Sequence, residues 1–268
     1  MKDTQIEDRI KATLNKVRIR LMVFSGKGGV GKSTVAANLG LALGEAGYRV
    51  GLLDVDIHGP NLPKILGVEG QRMAVIGDNR IMPVIINRNL KLVSMGFLLE
   101  RDDLPVIWRG PLKMRAIQQF LSDVEWGSLD YLVVDSPPGT GDEPLSIAQM
   151  IPATGAIIVT TPQEVSLLDS KKAISFAIRL NLQIIGLIEN MSGLICPHCK
   201  KKIDLFKTGG GEKLAREMGV PFLGRIPIDP EIVDAGDNGL PYIIERPSSE
   251  AARAMRLIVD GILKRIGS

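Results

Sequence analysis

The sequence predicts an α/β fold in which a mostly parallel sheet is flanked by helices. Short apolar runs alternate along the chain with segments of helical periodicity, as in folds built from repeated strand–helix units. Several of these runs are apolar without alternation, which is typical of parallel strands covered on both faces. The 268 residues would suffice for one large α/β domain or two small ones, and the lack of a Gly/Ser/Pro-rich linker favours one.

The predicted elements follow from local patterns along the chain. The apolar run 18–24 leads into a glycine-rich loop, and the helical pattern after this loop stops at Gly47, a residue typical of helix C-termini. The segment 71–99 is rich in β-branched residues and has a turn sequence at 77–79, which predicts a short hairpin or an edge addition to the sheet. The predicted strands are 18–24, 49–54, 131–135, 156–161, 184–188 and 222–226, and the predicted helices are 33–46, 111–124, 163–180 and 211–218.

Composition and charge exclude several classes of protein. Apolar residues make up 45% and charged residues 24% of the chain, which rules out a disordered or collagen-like protein. The net charge is +3 with basic and acidic residues interleaved, so the charge pattern does not indicate a nucleic-acid or anionic-membrane partner. No apolar run approaches the roughly 18 to 20 residues that cross a bilayer. We therefore expect a cytoplasmic protein without nucleic acid and without stable membrane association.

One short motif carries the strongest functional signal. Residues 26–34 match the pattern G-x-x-x-x-G-K-[ST] between a predicted strand and a predicted helix, which is the context of a phosphate-binding P-loop. In such a loop, backbone N–H groups converge on phosphate oxygens, Lys32 reaches the β- and γ-phosphates, and the Ser33 hydroxyl binds Mg²⁺. The residues predicted to bind nucleotide here are Gly26, Lys27, Gly28, Gly29, Val30, Gly31, Lys32, Ser33 and Thr34.

A second lysine in this loop, Lys27, makes the motif resemble the deviant Walker A motif of the MinD/ParA/nitrogenase iron protein superfamily. In that superfamily the extra lysine reaches across a dimer interface to the nucleotide of the other subunit. The resemblance therefore implies a homodimer in which Lys27 and Lys32 both take part in ATP hydrolysis. It also implies ATP, rather than GTP, as the nucleotide.

Two segments with carboxylates resemble the switch segments of the same superfamily. The segment that starts at Asp54 resembles switch I, which implies that Asp56 orients or deprotonates the attacking water and that Asp54 lies on the Mg²⁺ side. Asp135 ends a predicted strand as a Walker B carboxylate does, which implies Mg²⁺ binding through water, and 137–142 resembles switch II. The alternative for each aspartate is a helix N-cap or a turn.

Two more segments resemble the adenine-contacting parts of that superfamily. Asn190 follows the predicted strand 184–188, and its amide both donates and accepts hydrogen bonds, as the edge of a base requires. Asp229 follows the predicted strand 222–226. The resemblance implies that both residues border the base of ATP.

Cys196 and Cys199 are the only cysteines, and they form a C-x-x-C pair in a predicted loop. The pair leaves open a thioredoxin-like dithiol, half of a zinc site, half of an iron–sulfur site, or two thiols without a role. No helical apolar face follows, which disfavours the dithiol. Zinc and a [4Fe–4S] cluster each take four ligands, so a symmetric dimer would complete either one. Lysines at 200–202 would offset the thiolate charge, and His198 is expected to be solvated.

Together, five segments resemble the Mrp/Nbp35 (ApbC) family of iron–sulfur cluster carrier ATPases: the P-loop, 56–61, 135–142, 188–192 and 196–199. The resemblance implies a slow ATPase that holds one [4Fe–4S] cluster per dimer through Cys196 and Cys199. It also implies a cluster donor and apoprotein clients as partners. We expect neither the cysteine-rich N-terminal extension of the eukaryotic scaffold members nor the small accessory domain that precedes the P-loop in many bacterial members. We therefore expect a polar lead-in at 1–17 and a single P-loop ATPase domain at 18–268.

Two other functions stay open at this stage. The first is a zinc-bridged, ATP-dependent targeting factor, although the chain has no Met-rich helical insertion for a client. The second is a MinD-like positioning ATPase whose C-terminal helix binds membrane. The tail 252–266 has apolar residues beside Lys264 and Arg265, but a helix docked on the sheet explains the same pattern and is favoured.

Overall fold

A computed structural model of the chain describes residues 2–57, 59–77, 80–98, 110–196, 198–199 and 201–267. Parts of several predicted segments lie outside these residues. They are His58 of the switch I segment, residues 78–79 of the predicted turn, Leu99, Pro197 of the cysteine motif and Lys200 of the lysine run.

An eight-stranded sheet forms the centre of the described fold. Its strands are β1 (Val17–Ser25), β2 (Val50–Asp54), β5 (Val84–Asn87), β6 (Leu90–Ser94), β7 (Leu129–Asp135), β8 (Gly155–Thr160), β9 (Ile184–Glu189) and β12 (Phe222–Arg225). In space they lie in the order β12-β9-β8-β1-β7-β2-β6-β5, and all are parallel except β5 at the edge. Two antiparallel pairs lie outside the sheet: β3 (Ala74–Ile76) with β4 (Arg80–Met82), and β10 (Leu194–Ile195) with β11 (Lys202–Ile203).

Helices cover both faces of the sheet. On one face lie α2 (Lys32–Glu45), α3 (Leu62–Ile65), α8 (Pro230–Asp237), α9 (Tyr242–Glu245) and α10 (Glu250–Ile266). On the other face lie α1 (Lys2–Leu14), α4 (Gly110–Ser122), α5 (Asp142–Met150), α6 (Glu164–Arg179) and α7 (Gly210–Met218). Every residue of β2 and of β8 is buried, as expected of strands that are covered on both faces. The predicted class, a mostly parallel sheet flanked by helices, is confirmed.

The segment 71–99 contributes more to the sheet than the predicted edge addition. Its first part forms the β3–β4 hairpin, but β6 pairs in parallel with β2 and so extends the main sheet, with β5 as the edge. The sequence pattern hid β6 because Lys91 interrupts the apolar run. Its ammonium donates a hydrogen bond of 2.9 Å to the Trp126 carbonyl, which allows a lysine within this strand.

Part of the predicted lead-in is also ordered. Helix α1 packs on α4, and its residues Ile10 and Leu14 are buried. Most other positions of α1 are polar, so this helix was not distinguished from the polar lead-in in the sequence.

The register of the central strands determines where the functional site lies. Asp54 at the end of β2 is paired with Asp135 at the end of β7, and Val23 of β1 is level with the same Asp135. Strand β1 continues past Val23 to Ser25, and the P-loop follows it and leads into α2. Because the carboxyl ends of parallel strands meet at one edge, the P-loop and both aspartates lie together.

The C-terminal helix α10 is docked on the sheet. Ile258 and Ile262 are buried with the other core residues of that face, whereas Leu257 on the same helix is 69% exposed. The predicted docking of the tail is therefore confirmed. Within the described ranges, no helix combines the length and the apolar character that crossing a bilayer requires.

This docking predicts different effects for two substitutions on α10. Ile262→Ala should lower the free energy of unfolding by about 2–5 kcal/mol, because it leaves a cavity in a packed layer. Leu257→Ala is the matched control and should stay within about 0.5 kcal/mol of wild type. Urea denaturation followed by far-ultraviolet circular dichroism measures both values. Equal effects of the two substitutions would contradict the docked arrangement.

Candidate functional site

The P-loop folds closely against α6 and against Asn190, the residue that follows β9. A Cβ atom on Gly26 would lie 2.2 Å from the Asp169 carbonyl carbon and oxygen of α6, so this position requires glycine. Gly31 has a φ of +81°, and a Cβ atom there would lie 2.2 Å from Asn190 Nδ2. The loop thereby brings the N-terminus of α2, with its unpaired N–H groups and positive dipole end, to the carboxyl edge of the sheet.

Lys32 lies buried between two carboxylates. Its Nζ is 2.5 Å from Asp135 Oδ1 and 3.6 Å from Asp56 Oδ2. All three side chains are buried, so water screens their attraction only weakly. The pair between Lys32 and Asp135 therefore ties the P-loop to the end of β7.

Asp54 braces the segment predicted as switch I. Its carboxylate accepts hydrogen bonds from the Asp56 N–H at 3.2 Å, the Leu62 N–H at 3.3 Å and the Ser94 hydroxyl at 2.9 Å. Burial, and next the charge of Asp135, raise the pKa of Asp54 well above its ordinary value. The structure thus shows internal partners for this carboxylate, and its predicted place on the Mg²⁺ side stays a prediction.

Asp135 has one engaged oxygen and one unengaged oxygen. Oδ1 accepts a hydrogen bond from Lys32, whereas Oδ2 is buried and has no hydrogen-bond partner among the described residues. Burial raises the pKa of Asp135, and the Lys32 charge opposes this rise. A buried carboxylate oxygen of this kind needs a donor or a cation. Together with the nearby Ser33 hydroxyl, it forms a donor set that fits hydrated Mg²⁺, which prefers oxygen ligands.

A cleft of about 600 Å³ contains these groups, a size typical of small-molecule sites. The P-loop, Lys32 and Asp56 form its polar part. Its apolar part comes from α8, from the residues before α8, and from a segment after β11. The residues of this apolar part include Leu205, Phe206, Pro227, Ile228, Ile232 and Val233.

Asn190 lies against the P-loop. Its Nδ2 donates a hydrogen bond of 2.9 Å to the Val30 carbonyl, and its own N–H donates to the Thr160 carbonyl at 2.8 Å. Asn190 also lines the cleft, so the predicted contact with a base stays a prediction. Sequence reasoning missed its role as a brace; the usable signal was a polar residue at the carboxyl end of a predicted parallel strand, the edge of the sheet where the P-loop also lies.

Asp229 lines the cleft and is also engaged by the protein. Its Oδ1 accepts the Glu231 N–H at 3.0 Å and so caps α8, while its Oδ2 accepts a hydrogen bond from the Tyr242 hydroxyl. Burial, and next this hydrogen bond, raise the pKa of Tyr242 above its ordinary value. Asp229 therefore positions α8 at the edge of the cleft, and its contact with a base stays a prediction.

Lys27 differs from Lys32 in its surroundings. Its side chain is partly exposed at the mouth of the cleft, and within the described part of the chain it forms no ion pair. Its backbone is fixed, because its carbonyl accepts the Ser25 hydroxyl at 2.9 Å. The loop thus presents an ammonium that the described residues of its own chain do not engage.

The two cysteines lie at the end of the β10–β11 hairpin, where the sequence had predicted a loop. The Cys196 N–H donates to the Lys201 carbonyl at 2.9 Å, one step beyond the Ile195–Lys202 pair. Cys196 is half-buried, Cys199 is exposed, and neither forms a disulfide. Among the residues that the structure describes, no three Cys, His, Asp or Glu side chains are grouped to hold a metal ion.

Sequence reasoning missed Glu189, a carboxylate with no solvent exposure. It accepts hydrogen bonds from the Ser192 hydroxyl and from the N–H groups of Gly209 and Gly211, and the Arg225 guanidinium lies 3.6 Å away. Glu189 therefore joins the start of α7 to the strand that leads into the hairpin. The signal in the sequence was a carboxylate directly after an apolar strand.

The chain matches a family model described as "ParA: NUBPL iron-transfer P-loop NTPase" over residues 16–263. The chain belongs to this family. The match covers the P-loop, the sheet edge with Asp54 and Asp135, and the cysteine hairpin.

Members and neighbours of the NUBPL family agree with this assignment. The iron-sulfur cluster carrier protein of Methanocaldococcus jannaschii is 53% identical over 264 residues, which are 98% of this chain and 90% of that protein. The cytosolic Fe-S cluster assembly factor NUBP2 of Bos taurus is 48% identical over 252 residues, which are 92% and 93% of the two chains. A solved structure of a nucleotide-binding protein from Archaeoglobus fulgidus in complex with ADP has 40% identity and a TM-score of 0.77, and it covers 87% of this chain and 91% of its own.

These findings confirm the family that the sequence motifs indicated. The chain is a P-loop NTPase of the ParA type, and a neighbour with the same fold holds ADP. The roles assigned to single residues remain predictions.

The brace formed by Asn190 predicts a specific loss. Asn190→Ala should lower the free energy of unfolding by about 1–3 kcal/mol, because the buried Val30 carbonyl loses its donor. It should also weaken ADP binding, since the P-loop is no longer held. Asn238→Ala is the control, because Asn238 makes the same kind of amide-to-carbonyl bond at 2.7 Å on the exposed surface of α8. Denaturation and calorimetric titration with ADP measure both effects, and an Asn190 variant that behaves like Asn238→Ala would contradict the brace.

Proposed function

We propose that the chain is an ATP-binding and ATP-hydrolysing carrier of iron–sulfur clusters that acts as a homodimer. One [4Fe–4S] cluster is held between the two subunits and is transferred to apoproteins. The cluster is cargo in this proposal, so the site must both hold it and release it.

The observation that carries the proposal is the direct attachment of the cysteine hairpin to the nucleotide cleft. Leu194 at the base of the hairpin forms a β-bridge with Ile228, a residue that lines the cleft. The Ile228 N–H also donates to the Gly193 carbonyl at 2.8 Å. An ATP-dependent carrier requires a thiol pair that is structurally connected to a phosphate site. A relative that is 53% identical to this chain is named as an iron-sulfur cluster carrier protein.

In this proposal, different residues of the cleft have different roles in ATP hydrolysis. Lys32 and the P-loop N–H groups bind the β- and γ-phosphates, while Ser33 and Asp135 hold the accompanying Mg²⁺. Asp56 lines the same cleft and orients the attacking water. Lys27, partly exposed and without an ion pair among the described residues of its own chain, completes the phosphate site of the other subunit.

The cysteine count sets the stoichiometry of the cluster site. A cubane cluster takes four thiolates, and each chain supplies only Cys196 and Cys199. Two chains related by a two-fold axis present identical pairs and complete the set. The exposure of Cys199 suits a cluster that must pass to another protein.

The remaining parts of the proposal concern setting and partners. Residues 18–268 act as one ATPase domain behind the lead-in at 1–17. The partners are a cluster donor and apo iron–sulfur clients, with neither nucleic acid nor stable membrane association. The setting is the cytoplasm, which is consistent with the word cytosolic in the name of the bovine relative.

Substitutions of the two P-loop lysines should have different effects on ATP hydrolysis. Lys32→Ala should lower kcat for ATP hydrolysis by about 100-fold or more, because it removes a preorganised charge at the transferred phosphate. Lys27→Ala should leave the ADP affinity of the single chain near that of wild type but abolish the part of the ATPase rate that rises with protein concentration. Lys213→Ala, on the exposed surface of α7, serves as the control. Unchanged concentration dependence in Lys27→Ala would rule out its role across the dimer.

Metal content tests the cluster site. Protein that is reconstituted without oxygen should contain about four irons per dimer and a visible charge-transfer band, as four-thiolate cluster ligation requires. Cys196→Ala and Cys199→Ala should each lose both signals. His198→Ala is the matched control within the same motif and should keep them, because imidazole is not a ligand in this proposal. Stoichiometric zinc in the wild type would instead support the targeting-factor alternative.

A further inference from the structure

The nucleotide cleft and the cysteine hairpin share a connecting segment. Residues 204–209 join β11 to α7, and within this connection Leu205 and Phe206 line the cleft. We propose that Phe206 contacts the purine base of the bound nucleotide, and that this contact sets the position of the hairpin that carries the cysteines. The inference rests on the proposed function only in requiring that the cleft binds a purine nucleotide.

Phe206 has the chemistry of a base contact. It is the only aromatic side chain among the described residues that line the cleft, and it is partly buried. The face of a phenyl ring stacks on a base without regard to hydrogen-bond pattern, whereas the polar groups of Asn190 and Asp229 are already engaged in part by the protein. The ring is therefore suited to add base affinity to the phosphate contacts of the P-loop.

The connection is fixed at its α7 end. The N–H groups of Gly209 and Gly211 both donate to Glu189, which is fully buried. Hydrogen bonds to a charged acceptor are roughly twice as strong as those between neutral groups, and this carboxylate lies in a low-dielectric setting. Between these anchors and Phe206 the backbone is tightly turned, since Lys207 has a φ of +68° and donates its N–H to the Asp204 carbonyl at 3.3 Å.

The other end of the connection lies in a short hairpin. Within the described ranges, β11 pairs with β10 through Leu194–Ile203 and Ile195–Lys202, and the Cys196 N–H adds a hydrogen bond to the Lys201 carbonyl. A two-stranded pairing gives little stability of its own in water. When a bound nucleotide shifts Phe206, the hairpin therefore moves with it, because the hydrogen bonds to Glu189 hold the α7 end of the connection in place.

The first strand of the hairpin also begins at the cleft. Met191 lines the cleft with a φ of +56°, and the next residue, Ser192, donates its hydroxyl to Glu189. The hairpin thus begins just after one residue that lines the cleft and ends just before two others, Leu205 and Phe206. Contact at both of its ends explains how a ligand in the cleft can change the hairpin without moving the sheet.

Thiol alkylation of the metal-free protein tests the coupling. Because the chain has two cysteines, any alkylation reports on the hairpin, and mass spectrometry assigns it to Cys196 or Cys199. In wild type, saturating Mg-ADP should change the alkylation rate. In Phe206→Ala this change should be lost, and ADP affinity by calorimetry should fall by about tenfold, as expected for a lost base–aromatic stack.

Two variants and one dilution series make the test decisive. Phe206→Tyr keeps the ring and should restore both readouts, whereas Leu257→Ala on the exposed face of α10 should behave as wild type. Rates are measured over a tenfold range of protein concentration, because shielding by a second chain rises with concentration and coupling within one chain does not. Unchanged ADP affinity in Phe206→Ala, an ADP effect that survives this substitution, or an effect that requires a second chain would overturn the proposal. This assay does not measure iron binding. A protein that failed to bind iron would refute the proposed carrier function and would leave this inference standing.

Discussion

The buried ammonium of Lys32 holds the carboxyl ends of the central strands together. Parallel register brings Asp54 and Asp135 side by side, and Asp56 follows two residues after Asp54. Three carboxyl groups in one buried region would repel one another strongly, and Lys32 offsets this repulsion through its contacts with Asp135 and Asp56. Burial is the main cause that raises the pKa values of Asp54 and Asp135, and the charge of Asp135 adds to the rise at Asp54. Asp135 Oδ2, buried and without a hydrogen-bond partner among the described residues, is the atom that makes the region suited to a divalent cation.

Stability is unevenly distributed around the site, and the distribution suits a carrier. The P-loop rests on the backbone of α6, on Asn190 and on the end of β7, all of which belong to the packed core. The cysteine hairpin has two residue pairs and exposed apolar side chains, and it is joined to that core through Glu189 and Ile228. Segments with few buried contacts open at lower free energy than the core. The phosphate site therefore rests directly on the packed core, whereas the described part of the hairpin is joined to that core at fewer points.

The sequence predicted the features that depend on short-range patterns. The P-loop, the aspartates that end β2 and β7, and the cysteine pair were all evident, because a strand, a loop and a helix each leave a local periodicity. Strand β6 was obscured by Lys91, whose partner, the Trp126 carbonyl, is 35 residues away. The braces were hidden for the same reason: Asn190 contacts Val30 across 160 residues, and Glu189 contacts Gly209 across 20. Polar residues with distant partners look like solvated residues until the fold is known.

The contrast between engaged and unengaged groups indicates which parts of the site belong to a single chain. Lys32 and Glu189 are buried, and their ionic and hydrogen-bonding partners lie in their own chain. Neither residue needs a second subunit to be stabilised. Lys27 and Cys199 are partly or fully exposed, and Lys27 forms no ion pair within the described ranges. An exposed free thiol is a liability in a soluble protein unless it has a use there. Lys27, Cys196 and Cys199 are therefore the residues for which we propose a function between subunits, whereas Lys32 and Glu189 build the frame within one chain.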